Sequence, residues 1–172
     1  MYPTAYIQFL IHFHGDYDYF ECHEVLEEYW KLKPRGEREN YWVGFIQIAV
    51  ALYHHRRSNW NGSMRMMKSA IAILKKESIQ VHRLGLDYPK FLTILQKQLQ
   101  SIQSKEPFAP IFFPFSDSSL ENTCLQLCTE KMIPWKDAHS LPTEYIIHKH
   151  KLRDRNDVIA ERNEQLKKRK QR

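Results

Sequence analysis

Residues 42–53, WVGFIQIAVALY, constrain the fold more than any other part of the chain. Trp42, Phe45, Ile46, Ala49, Val50, Leu52 and Tyr53 cover most of a helix circumference, so this helix must be enclosed on nearly every side. Its uncharged run, Gly44 to Tyr53, is far shorter than the roughly 20 residues that a bilayer-spanning helix needs. The enclosing surface therefore has to come from other helices of the same chain, with this one at the centre.

Four further helical patterns supply it. The first runs from about Pro3 to His14, with Tyr6, Phe9, Leu10 and Phe13 on one stripe and Gly15 as its stop. The second starts at Asp16 or Asp18 as N-cap and reaches Lys33, where Pro34-Arg35-Gly36 breaks it. The central helix spans about Glu37 to Ser58, and Asn59 to Gly62 reads as a turn. A fourth pattern from Ser63 to about Val81 repeats Met64, Met67, Ala70, Ile71 and Leu74 at three and four. The fifth runs from Pro89 to Ser104, with Phe91, Leu92, Leu95, Leu99 and Ile102 inward. Short connections favour antiparallel neighbours, so the expected fold is all-α: an antiparallel bundle of about five helices over residues 1–105.

Residues 106–172 read as an irregular C-terminal extension. Pro107, Pro110 and Pro114 exclude a regular helix through the apolar FAPIFFPF and suggest a strap across the bundle. A short helix is expected from Ser118 to Met132 and a loop to Pro142, with Glu144 to His150 ambiguous between strand and helix. His148-Lys149-His150-Lys151 reads as a solvated stretch. Residues 154–172 have helical composition, but only Val158, Ile159 and Leu166 could anchor a helix there, which suggests a frayed or partner-dependent one.

The formal charge is +6, and it is uneven. Residues 149–172 hold ten Lys/Arg and four Asp/Glu, which accounts for all of the excess and leaves the first 148 residues neutral. The high pI therefore describes an appendage and not a basic domain face. Lys167, Lys168, Arg169 and Lys170 are the candidate nucleic-acid contacts, by charge alone, since no aromatic residue follows Tyr145 to stack on bases. The N-terminal residues lack a basic n-region and a small-residue cleavage site, so no signal peptide is read. Cys22, Cys124 and Cys128 are an odd count without framework spacing; reduced thiols, a cytoplasmic location and no membrane contact are the expectation. Cys124 and Cys128 share a helix face, where small apolar filling is the plain reading.

Chemistry concentrates in residues 15–30, GDYDYFECHEVLEEYW. Glu21, His23, Glu24, Glu27 and Glu28 are set there among Phe20, Cys22, Val25, Leu26, Tyr29 and Trp30, too apolar for a solvated face and too acidic for an ordinary core helix. The central helix adds Gln47, alone in its apolar run, and His54 seven residues on, hence on the same face. A buried unpaired amide costs roughly 1–3 kcal/mol, so Gln47 needs a partner, and Glu24 paired with Gln47 or His54 is the expected contact. Three uses compete for the polar cluster Glu21, His23, Glu24, Gln47 and His54. It could be a hydrogen-bonded network that fixes helix register. It could hold a divalent metal through His23, Glu24, Glu27 and His54, although the string is H-E-x-x-E and not H-E-x-x-H. It could be a small-molecule pocket with Glu21 or Glu24 as general base. No nucleophile elbow or phosphate loop names a reaction.

The stretch from Gly15 to Glu27, ending at Trp30, together with Gly44 to His54 and then Asn59 and Gly62, resembles the bacterial helical proteins grouped as DUF309 and described as TTHA0068-like. The resemblance covers roughly residues 5–75. It implies an all-helical bundle and no particular activity. The resulting functional reading is a non-enzymatic protein-interaction module with a basic tail, touching a protein partner and, weakly, nucleic acid or another acidic surface. A homo-oligomer is compatible with it. The alternative is a small metal-dependent or acid–base hydrolase-like enzyme at Glu21, Glu24 and His54. No cofactor is otherwise expected.

Overall fold

The structure, a computed structural model, describes residues 1–140 and 142–152. Among these residues the protein is all-α, with helices α1 (Thr4–Ile11), α2 (Tyr19–Lys31), α3 (Asn40–Arg56), α4 (Trp60–Leu74), α5 (Ser78–Arg83), α6 (Tyr88–Gln103), α7 (Ser118–Glu130) and α8 (Glu144–Leu152). No described helix is long and apolar enough to cross a membrane. Residues 153–172 lie outside the described residues, and with them the expected frayed helix and the basic run Lys167 to Lys170.

Local sequence sets the helix starts. Asp18 caps α2 by accepting the Glu21 N–H at 2.9 Å, and Asp87 caps α6 by accepting the Lys90 N–H at 3.2 Å. Asn59 accepts the Gly62 N–H at 3.1 Å, so residues 60–62 form the first turn of α4 and not a separate turn. The α4 stripe would continue after Leu74 at positions 77 and 78, but these are Glu77 and Ser78. The helix ends there, and α5 restarts to bury Val81, dividing what the periodicity joins into one element. Pro34 likewise sets off a short 3-10 turn at Arg35–Glu37, so α3 begins at Asn40.

As its composition demands, α3 carries the largest share of buried side chains among the described helices, including Trp42, Phe45, Ile48, Leu52 and Tyr53. It packs on α2 and α4, α4 packs on α6, and α1 joins α2 to α7. Gly44 lets α3 approach α4 closely, because a Cβ there would stand 2.7 Å from Leu74 Cγ. The Pro-punctuated strap places Phe113, 1% exposed, among Phe13 at 4.3 Å, Phe91 at 5.0 Å, Phe45 at 6.0 Å and Phe9 at 6.3 Å between ring centres. Its backbone is held where the Asp87 N–H donates to Pro114 O and the Ser116 N–H to Gly85 O, both at 2.8 Å.

The end of α1 differs from the expectation. The helix widens into a π-helical turn over His12–Asp16, and Tyr17, at φ 56°, supplies the left-handed stop assigned to Gly15. Gly15 serves close approach instead: a Cβ would lie 2.6 Å from Ile133 Cγ2 and 3.2 Å from Pro134 O. The turn also carries His14 fully inward, between Phe13, Phe113, Phe115 and Trp135 at 5.0 to 5.7 Å. Neither ring nitrogen of His14 has a hydrogen-bond partner among the described residues. Burial, with the Lys136 charge adding to it, holds this imidazole well below its ordinary pKa and therefore neutral.

Candidate functional site

Helices α2 and α3 run antiparallel. Phe20 meets Tyr53 at 6.2 Å at one end, and Tyr29 meets Trp42 at 5.4 Å at the other. The polar residues singled out in the sequence all lie along this pair, but they fall into separate groups.

At the N-terminus of α2, Asp18 and Glu21 form an acidic pair. Asp18 uses Oδ1 to cap the helix, and its Oδ2 receives Lys149 Nζ at 2.6 Å. Glu21 Oε2 accepts from the same ammonium at 2.8 Å. One turn on, His23 stands between two carboxylates: Nδ1 lies 3.0 Å from Glu24 Oε1, and Nε2 lies 3.0 Å from Glu27 Oε2. The other oxygen of Glu27 accepts from Lys31 Nζ at 2.8 Å. His23, Glu24 and Glu27 are each partly exposed, and one ligand atom from each falls within 4.8 Å of the others, a geometry that could hold a metal ion. On α3, His54 Nδ1 faces Asn59 Nδ2 at 3.1 Å. Burial, then Arg57 and Arg65, holds the His54 imidazole below its ordinary pKa.

The expected bond from Glu24 to Gln47 or His54 is not formed among the described residues. His23, on the same turn, takes Glu24, and Asn59 takes His54. Gln47 keeps a buried Oε1 with no hydrogen-bond partner among the described residues, an acceptor that a carboxylate could not satisfy.

Between the helices lies a cleft of about 210 Å³ walled by Tyr19, Phe20, Val50 and Tyr53, with His23, His54 and His150 at its rim. The structure brings His23 and His54 to one opening, but among the described residues the clustered ligand atoms are those of His23, Glu24 and Glu27, without His54; Glu21 faces Lys149 beside it. Sequence reasoning missed the occupant. Of the stretch read as solvated, Lys151 is exposed, but Lys149 and His150 are half-buried: α8 lays Lys149 into the acidic pair and His150 onto Tyr53. His150 Nδ1 is 2.5 Å from the Tyr53 hydroxyl, and the two rings meet edge to face at 5.4 Å. Arg57 Nη1 approaches the same imidazole nitrogen at 3.1 Å. Arg56 joins the loop before α2 to α8, donating to Tyr17 O at 2.7 Å and Ile146 O at 3.2 Å. The only advance signal was charge complementarity, the acidic α2 against a basic tail, and charge alone does not fix which lysine is used.

Chemically, the face can bind an ammonium group at Asp18 and Glu21, accept an aromatic or imidazole ring against Phe20 and Tyr53, and bind a cation at His23, Glu24 and Glu27. All three cysteines are buried and unpaired, in keeping with apolar filling. Burial raises their thiol pKa values, so no thiolate is available as a nucleophile.

The protein family described as Domain of unknown function (DUF309) matches residues 6–66, the span that contains α2, α3 and their contacts. An uncharacterized protein of Bacillus subtilis (strain 168), YpuF, is 47% identical over 170 residues, which cover 99% of this chain and 98% of that protein. No solved structure matches the chain. By the α2–α3 motif and by likeness along its whole length, the chain belongs to the DUF309 family.

Proposed function

We propose that this protein is a docking module whose α2–α3 face recognises a short, lysine-bearing helical segment, with α8 as its resident in the resting chain and a basic segment of a partner protein as the competitor. The observation that carries this is the seat of Lys149. Its ammonium sits between Asp18 and Glu21 with the side chain only 17% exposed, 6.0 Å from the centre of the Phe20 ring. An acidic pair beside an aromatic wall selects a cation on an amphipathic segment. Arg56 grips a main-chain carbonyl of that segment and so favours a defined backbone path over any single side chain.

The basic tail beyond α8 gives the module a second attachment, electrostatic and without sequence reading, to nucleic acid or another acidic surface. Hydrolase-like chemistry at Glu21, Glu24 and His54 has less support, because Glu21 is neutralised by Lys149 and His54 is engaged by Asn59. A labelled peptide of residues 143–152, titrated against the full chain and its Lys149→Ala variant, tests the docking reading. The variant, with its own α8 weakened, should bind the peptide more tightly than the parent, and Glu21→Gln added to it should abolish the gain. A Lys149→Ala chain that ignores the peptide refutes the proposal.

A further inference from the structure

The first 148 residues balance in charge, but the balance is divided in space. Residues 40–76, which hold α3 and α4, contain no Asp or Glu and six Lys/Arg: Arg56, Arg57, Arg65, Lys68, Lys75 and Lys76. Acidic residues gather instead on α2, across α3, which packs on both helices, and there Lys31 and Lys149 answer them. Arg56 turns to the Tyr17 and Ile146 carbonyls, and Arg57 lies against the Tyr53 ring. Arg65, Lys68, Lys75 and Lys76 are all exposed, and none of them makes an ion pair among the described residues.

The period of α4 sets their placement. The helix turns Ser63, Met67, Ala70, Ile71 and Leu74 into the core. Asn61, Arg65, Lys68, Ala72 and Lys75 repeat at helical spacing along the opposite side, all of them exposed, and Lys76 falls one turn beyond Ala72 on the same stripe. At about 1.5 Å per residue, Arg65 to Lys75 spans about 15 Å. One strand of B-DNA presents about four phosphates in that length. Ala72 keeps the middle of the stripe low, so a phosphate backbone can come close. The positive field extends to the end of α3: after burial, Arg57 and then Arg65 hold the His54 imidazole below its ordinary pKa.

We propose that the exposed face of α4 is a binding surface for double-stranded DNA, engaging the phosphate backbone without reading sequence. Four unpaired cations on one face, with no carboxylate among them, complement a polyanion. The stripe has no aromatic residue, hence no platform on which the bases of a single strand could stack. The apolar side of α4 is committed to the core and the stripe has no large apolar residue, so the helix has nothing to insert into a membrane. A helix, about 10–12 Å across, seats against the roughly 12 Å major groove of B-DNA with phosphates on either side, whereas the A-form RNA groove is too narrow for it. The surface is separate from the α2–α3 cleft and from the basic tail, and it depends on neither.

Titration of a short labelled DNA duplex with full-length chains, followed by fluorescence anisotropy at about 50 to 200 mM salt, tests the surface. Combined Arg65→Gln, Lys68→Gln and Lys75→Gln should weaken binding by more than about 10-fold at the low-salt end, with the tail intact. The slope of log affinity against log salt should become shallower by about 1 for each residue removed. Lys68→Gln alone should show the one-residue change in slope. Lys131→Gln, which takes the same charge from an exposed position at the end of α7, should leave affinity and slope unchanged. Two duplexes of unrelated sequence should bind alike. A full-length chain with Lys167, Lys168, Arg169 and Lys170 all replaced by Gln separates the contribution of the tail. Circular dichroism confirms that each variant is folded; should the triple variant fail to fold, Lys68→Gln decides the matter. No binding by the parent, loss with the tail substitutions but not with those in α4, or an equal loss with Lys131→Gln would each overturn the surface. So would equal or tighter binding of duplex RNA, single-stranded DNA or phosphatidylglycerol vesicles.

Discussion

Replacing His14 with Phe should make the protein markedly less sensitive to acid. The imidazole is fully buried among aromatic rings, and both its nitrogens lack partners among the described residues. Its folded-state pKa lies well below the ordinary 6.5, so the folded chain keeps it neutral while the unfolded chain protonates it. For a histidine shifted in this direction, stability is fully present above pH 6.5 and is lost as pH falls below it, because the unfolded state then binds the extra proton. Each unit of pH in that window removes about 1.4 kcal/mol, or about 2 kcal/mol between pH 6.5 and pH 5 if the folded-state pKa lies below that range. His12 works in the opposite sense: burial lowers its pKa, but the hydrogen bond and charge of Asp16 more than offset this and raise it. That contribution and the lowered His54 are common to parent and variant and cancel in the difference. Phe fills the same aromatic enclosure without stranding polar atoms, so at pH 7.5 the variant should be at least as stable as the parent. Urea unfolding followed by circular dichroism at several pH values measures both. The gap should widen in favour of the His14→Phe variant as pH falls below 6.5. Parallel stability curves for the two proteins from pH 7.5 to 5 would show that His14 is not buried and neutral.

Three further perturbations test the fold and the docked helix. Gly15→Ala should destabilise the protein by about 1–3 kcal/mol in thermal or urea unfolding, the usual cost of overpacking, because the new methyl meets Ile133 Cγ2 at 2.6 Å and the Pro134 main chain behind it. Asp18→Ala removes the α2 cap, worth about 0.5–2 kcal/mol, and one of the two acceptors of Lys149; its unfolding midpoint should drop more than that of Glu21→Gln, which keeps the cap. Lys149→Ala deletes two charge-assisted hydrogen bonds, each worth about 1.5–3 kcal/mol at most, so the amides of α8 should exchange at least about 10-fold faster while those of α3 stay protected.

Periodicity and caps made most of the bundle legible. α3 had to be central because it has almost no polar side, and α6 shows its inward face through Phe91, Leu95 and Ile102. The strap was legible as non-helical because three prolines forbid anything else. What the sequence did not show is what depends on distant partners. Nothing near His14 announces that Phe113 and Trp135 will surround it. Nothing in α2 says that Tyr17 and not Gly15 will take the left-handed conformation, since Gly15 is selected by the main chain of residue 134. At the candidate site the residue types were visible, but the pairing was not. A histidine one position from Glu24 and four from Glu27 wins over more distant partners on α3, and the lysine that answers Asp18 and Glu21 lies 131 and 128 positions away.

The strap has a consequence for how the chain is made. Phe113 closes a lattice of rings whose other members, Phe9, Phe13, Phe45 and Phe91, all precede it in synthesis. Once α6 has left the exit tunnel, and before the strap has followed it, the nascent bundle carries an apolar furrow open to water. For that interval the half-made protein is at its stickiest, and a chaperone that binds aromatic segments would find its target there. Emergence of FAPIFFPF ends the exposure in one step, so the segment that looks like an appendage in the sequence acts as the closing seam of the newborn chain.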